Sequence, residues 1–157
     1  MKKSYSFRCA FFVLILSVLS LMVFSLKDHV HSTTDTSGIP LESNPRGMAI
    51  NPDTDIAVVA NEKADSVSIV NLNTQAVIST IPVGKAPRGV SIDRELNLAI
   101  IGNSKDNTVS IIDLSSFSVF KTISVGKEPE GIAINQLNHT ALIANHKDNT
   151  VSVIDLT

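Results

Sequence analysis

Three residues of this chain could act together on a ligand. Arg46, Arg88 and Glu130 stand 42 residues apart, each in the middle of a Pro-x-Gly triplet. Two guanidinium groups and a carboxylate brought to one mouth could hold a carboxylate or a phosphate through paired, charge-assisted hydrogen bonds. The competing use of the same charges is mutual pairing on a solvated surface. The four histidines, His29, His31, His139 and His146, have no Cys, Asp or Glu at ligand spacing, so no metal site is expected, and no motif asks for a cofactor. Gly-x-Ser-x-Gly, His-Glu-x-x-His and the phosphate loop are absent from the sequence, and no Ser, His and acid triad is nominated by spacing. Phe117 sits at an expected turn tip, where an apolar ring either meets a partner or folds back on its neighbours.

The elements that must position these residues repeat. Pro45, Pro87 and Pro129 open units of 42 residues without gaps; residues 45–86 and 87–128 share 17 identities, and 129–157 shares 15 identities with the unit before it. Within the middle unit, GVSI, LAIIG, TVSIIDL and VFKTISV are rich in Val, Ile and Thr and are punctuated by Lys105-Asp106-Asn107 and Gly126, which predicts four strands. The second strand is almost continuously apolar and is expected to be buried on both faces, whereas the third and fourth alternate and are expected nearer the rim. Four short antiparallel strands per 42-residue period predict an all-β fold, a β-propeller with about three blades present. Asn61, Asn103 and Asn145 close the second strands and are expected to bond the following turns; Lys63, Lys105 and Lys147 read as hairpin residues.

Residues 39–44 align with 81–86 and are read as a leftover outer strand, for a total of twelve strands. Because a ring typically needs about four blades or more, three arrangements stay open. A second copy completes a six-bladed ring, the chain is a piece of a longer propeller, or it forms an open wedge.

The segments AVVAN, AIIGN and ALIAN (57–61, 99–103 and 141–145), followed by SVSIVNL, TVSIIDL and TVSVIDL, carry a resemblance. With the Pro-x-Gly starts and the IPVG and ISVG ends, residues 39–157 resemble the YVTN repeats of exported bacterial and archaeal β-propellers. The resemblance implies a propeller fold and an extracytoplasmic setting; relatives include surface-layer proteins, periplasmic binding proteins, lactonase-like enzymes and subunits of redox complexes. Ala57, Ala99 and Ala141 replace the family's preferred Tyr, and Gln75 and Phe117 stand where its turns usually carry Gly.

Lys2, Lys3 and Arg8 precede the uncharged run Cys9–Leu26, so residues 1–26 read as a signal peptide or membrane anchor. The basic flank holds the N-terminus inside and sends the rest across the membrane. Residues 27–38 read as a polar linker. Cys9 is the only cysteine, which leaves the repeats to packing alone. After Ser32, nine Lys and Arg face fourteen Asp and Glu, a balance that argues against nucleic acid as a partner. The expectation is a non-catalytic module that binds or scaffolds a protein or small molecule at the cell surface or in the periplasm, touching the membrane only through residues 9–26. The alternatives are part of a lactonase-like or redox-complex enzyme whose site lies in missing blades, or a truncated gene fragment.

Overall fold

Alternating Val, Ile, Ser and Thr between four-residue turns makes strands the one regular element among the described residues. A computed structural model describes residues 38–157; the apolar run, Cys9, His29, His31 and most of the polar linker lie outside the described residues. The first blade is β1 (Pro45–Asn51), β2 (Ile56–Asn61), β3 (Ser66–Asn71) and β4 (Ala76–Pro82). The second is β5 (Pro87–Asp93), β6 (Leu98–Asn103), β7 (Thr108–Asp113) and β8 (Ser118–Ser124), and the third is β9 (Pro129–Asn135), β10 (Thr140–Asn145) and β11 (Thr150–Asp155). Each blade is an antiparallel meander in chain order, with four, four and three strands. Among the described residues no helix is long and apolar enough to cross a membrane.

The turns explain why the register repeats. Each ends on a residue in the left-handed region: Asp55, Asn97 and His139 after the first strands, Asp65, Asn107 and Asn149 after the second, Gln75 and Phe117 after the third. None of these is glycine. Asn and Asp tolerate that conformation best, while Gln75 and Phe117, at φ 52° and 51°, carry the steric cost that Gly would avoid.

Blades meet face to face. Ile56, Val58, Val67 and Ile69 of the first pack on Ile92, Ala99, Ile101 and Ile112 of the second. Ile100, Val109 and Ile111 of the second pack on Ala141, Ile143 and Ile154 of the third. Burial of this kind, about 25 cal/mol per Å² of apolar surface, is what holds three otherwise separate sheets together.

Two expectations need correction. In the two complete blades the third strands are not half-exposed: β3 and β7 are buried almost throughout and β4 and β8 form the rim, whereas β11 of the third blade keeps an exposed face. Nor are residues 39–44 an outer strand, and the described strands number eleven. In the complete blades the fourth strand ends at Pro82 and Ser124, so only Ile39 and Pro40 occupy strand-equivalent positions. Residues 41–44 are instead the link into a blade. Asn44 has the same left-handed turn as Ala86 and Glu128, and its carbonyl accepts from the N–H of Glu62 as theirs accept from Ser104 and His146.

Candidate functional site

The first strands touch across blades: β1 packs on β5 and β5 on β9, so the blades converge there and fan out toward β4 and β8. Proximity at this edge demands glycine. A Cβ on Gly47 would collide with the carbonyl oxygen of Arg88, and one on Gly89 with that of Glu130. The residue between Pro and Gly is thereby held on the converging edge.

Arg46, Arg88 and Glu130 do come together there, but not alone. Arg46 Nε donates to Glu62 Oε2 at 2.8 Å, Arg88 Nε donates to Glu62 Oε1 at 2.8 Å, and Arg88 Nη1 also pairs with Glu130. Glu62 is the hub, its side chain nearly buried. Hydrogen bonds from Arg46 and then Arg88 hold its carboxyl below the usual range, and the bond to Glu62 in turn raises the guanidinium of Arg88. Asn44 Nδ2 adds a further bond to Glu62. A shallow depression of about 280 Å³ is lined by Arg46, Gly47, Arg88 and Glu130. Its two cations are matched by two anions, so an incoming carboxylate or phosphate would have to displace Glu62 or Glu130. Mutual pairing is the arrangement observed.

Glu62 escaped the sequence reading because its equivalents are Ser104 and His146; it is an acid in one unit only. The same holds for a second pair. His139 Nδ1 lies 2.9 Å from Oδ2 of the fully buried Asp93, and His139 Nε2 is 3.7 Å from Glu95. Asp93 raises the proton affinity of His139. The pair joins the second blade to the third; at the matching place between the first and second, Asn51 Nδ2 donates to Asn97 Oδ1 at 3.2 Å.

Asn61, Asn103 and Asn145 are buried and reach past the turn: each Nδ2 donates to two hydroxyls of the next strand, Ser66 and Ser68, Thr108 and Ser110, Thr150 and Ser152. They are blade structure. Lys147 pairs with Glu128. Lys63 and Lys105 line, with Lys85 and Glu62, a second open depression of about 500 Å³. Phe117 does not stand out as a contact surface: its ring is half-buried and packs on the cluster between the first two blades. Phe120, on the rim strand β8, is the exposed ring, at 70%. Among the described residues no cluster of three or more His, Cys, Asp or Glu could hold a metal ion.

Solved structures place this geometry among propellers. The chain is similar to Kuenenia stuttgartiensis hydrazine synthase at 25% identity and a TM-score of 0.69, covering 78% of this chain and 36% of that one. It is similar to the β-propeller domain of Myceliophteria thermophila Cps50 (Swd1) at 16% identity and a TM-score of 0.64, covering 75% and 38%. A functionally unknown protein from Desulfotomaculum acetoxidans matches at 16% identity and a TM-score of 0.60, covering 73% and 42%. The chain thus spans about two fifths or less of the length of these structures. Among curated protein sequences, none matches. The family profile described as YNCE-like beta-propeller matches residues 46–142, more than half of the chain. A repeat of four-stranded blades, their convergence on Pro-x-Gly edges and that profile agree: the chain belongs to the YNCE-like β-propeller family.

Proposed function

We propose that this chain is a non-catalytic, extracytoplasmic propeller module that works by presenting blade faces to a partner. The observation that supports it most is a contrast within the molecule. The polar row at the converging edge is internally neutralised, whereas the outer face of the third blade, and the β1 part of the outer face of the first, expose apolar side chains. Met48 and Ile50 lie on one, Leu142, Val151 and Val153 on the other. Exposed apolar patches of contiguous sheet mark binding surfaces. The basic flank and apolar run at the N-terminus support export.

Two measurements test this. A reporter active only outside the cytoplasm, fused after Thr157, is expected to be active; inactivity removes the extracytoplasmic half. On native gels of membrane and soluble extracts, the wild-type chain is expected to migrate in an assembly that Val153→Asp abolishes without loss of β structure. Migration unchanged by Val153→Asp removes the binding half.

A second reading, a propeller segment of a redox-enzyme complex, draws on the likeness to hydrazine synthase over 78% of this chain. It expects the native assembly to contain a redox-active subunit with a visible absorbance; a colourless assembly removes it.

A further inference from the structure

The apolar side chains at the two ends of the stack are the two halves of an interface that the chain already makes twice. Facing forward along the chain, Val58, Val67 and Ile69 of the first blade correspond, at intervals of 42, to Ile100, Val109 and Ile111 of the second and to Leu142, Val151 and Val153 of the third. The first two sets are buried against the next blade; Val109 is 0% exposed, but its counterpart Val151 is 60% exposed. Facing backward, Ile92 and Ile134 pack on the preceding blade while their counterpart Ile50 is 51% exposed; Ala57, Val59 and Val70 on the same face are already buried, with Ile39 and Leu41 packed on them as Ile81 and Val83 pack on the second blade. Every apolar position of a third blade-to-blade joint is present, half at each end of the stack.

Polar groups at the edges match as well. Asn51 accepts the N–H of Asp53 with its Oδ1 and reaches the next blade with its Nδ2. Asn135 is preset in the same way, its Oδ1 accepting the N–H of Leu137, and the residue is exposed. The residue it would meet in a following blade stands where Asn97 and His139 stand; in the first blade that residue is Asp55, a hydrogen-bond acceptor for an amide donor. On the converging edge Glu130 would meet Arg46, of opposite charge. Gly131, whose nearest neighbour for an added Cβ is Ala144 at 3.6 Å, leaves the space that Gly47 and Gly89 give to the carbonyls of Arg88 and Glu130.

We infer that a second copy of this chain occupies both faces, the third blade of each copy docking on the first blade of the other. The inference rests on the binding module proposed above and names its partner. Two contacts of the same kind close a ring, and two copies of the three described blades give about six, within the range of about four to eight that propellers hold. Ile39 and Pro40 fit the same arrangement. They are equivalent to Ile81 and Pro82, which pair with Val67 and Ser66, and the free edge of β11 offers Val151 and Thr150 at those positions.

The test uses the full chain with Cys9→Ser, Asp55→Cys and Asn135→Cys, treated with a short bismaleimide, beside a control carrying Cys9→Ser, Asn51→Cys and Asn97→Cys. The control is expected to cross-link within one chain. The test protein is expected to run at twice the chain mass and no higher, and to lose that species when Val151→Asp and Val153→Asp are added with β structure retained. A ladder of higher masses means open filaments and overturns the closed pair. Monomer alone, with the control cross-linked, overturns the second copy as occupant, as does a longer form of the chain whose own further blades cover Leu142, Val151 and Val153. If in either case the native assembly is still sensitive to Val153→Asp, the binding module stands with another partner.

Discussion

The second and third blades share most of their residues and differ in what they touch. TVSII at 108–112 is buried on both faces; TVSVI at 150–154 is buried on one. The sequence of a blade therefore encodes two sticky faces whether or not a neighbour is present, and position in the stack alone decides which side chains stabilise the fold. Substitution at matched positions breaks this comparison most sharply. Ile111→Ala removes side-chain atoms from a closed joint and is expected to cost about 3 kcal/mol in urea unfolding. Val153→Ala, at a concentration where chains stand alone, is expected to cost less than about 0.5 kcal/mol. Equal losses would mean that the third face is covered within the single chain.

The paired glycines come next. Gly89→Ala drives a methyl group into the backbone of the next blade, where neither partner can yield, and about 2 kcal/mol or more is expected. Gly131→Ala meets only ordinary van der Waals contact, so the lone chain is expected to unfold at the wild-type urea midpoint, while the doubled cross-linked species is lost. Retention of that species with Gly131→Ala would refute docking at this edge.

A third comparison separates the two closed joints by pH. Between the first and second blades the latch is a neutral amide pair; between the second and third it is His139 on Asp93, with Glu95 and Asp155 also facing the imidazole. A histidine whose proton affinity is raised by folding contributes fully below its unfolded pKa, near 6.5, and that contribution disappears as pH climbs through the raised value. Stability is thus expected to fall between mildly acid and mildly alkaline pH, with hydrogen exchange at β9 and β10 rising before exchange at β1 and β2. In His139→Asn the exchange of β9 and β10 is expected to lose this pH dependence. A wild-type profile flat across this range would show that the pair is not carrying the joint.

Most of the fold could be read from the chain because each turn, each alternating run and each Pro-x-Gly recurs at one spacing. What could not be read is instructive. The Val-Ser-Ile alternation of the third strands looks half-solvated, yet Ser66, Ser68 and Ser110 are buried, because the amides of Asn61 and Asn103 reach across from the adjacent strand to bond them. Two polar columns that look separate in sequence bond each other inside the sheet through the amide nitrogens, while Oδ1 of Asn61 and Asn103 stays buried without a partner. The charged row was half legible: recurrence brought Arg46, Arg88 and Glu130 together, but Glu62, the acid that neutralises both arginines, belongs to no repeated pattern. Repetition reveals scaffolding, and exceptions to it reveal which joints carry charge.

The smallest effect expected distinguishes closed joints from the open end by sign. Asn107 and Asn149 occupy the same left-handed position, with φ 56° and 52°. Asn107 Oδ1 accepts the N–H of Glu128 at 3.1 Å, tying its turn to the link into the third blade, as Asp65 ties its own to Ala86. Asn149 is followed by no such link among the described residues. Glycine relieves backbone strain at both sites, by about 0.5 kcal/mol, but at Asn107 it also deletes a hydrogen bond worth about 1 kcal/mol. Asn149→Gly is therefore expected to raise the urea midpoint slightly and Asn107→Gly to lower it. If both raised it, the bond at Glu128 would contribute nothing, and the difference between inner and terminal blades would rest on apolar burial alone.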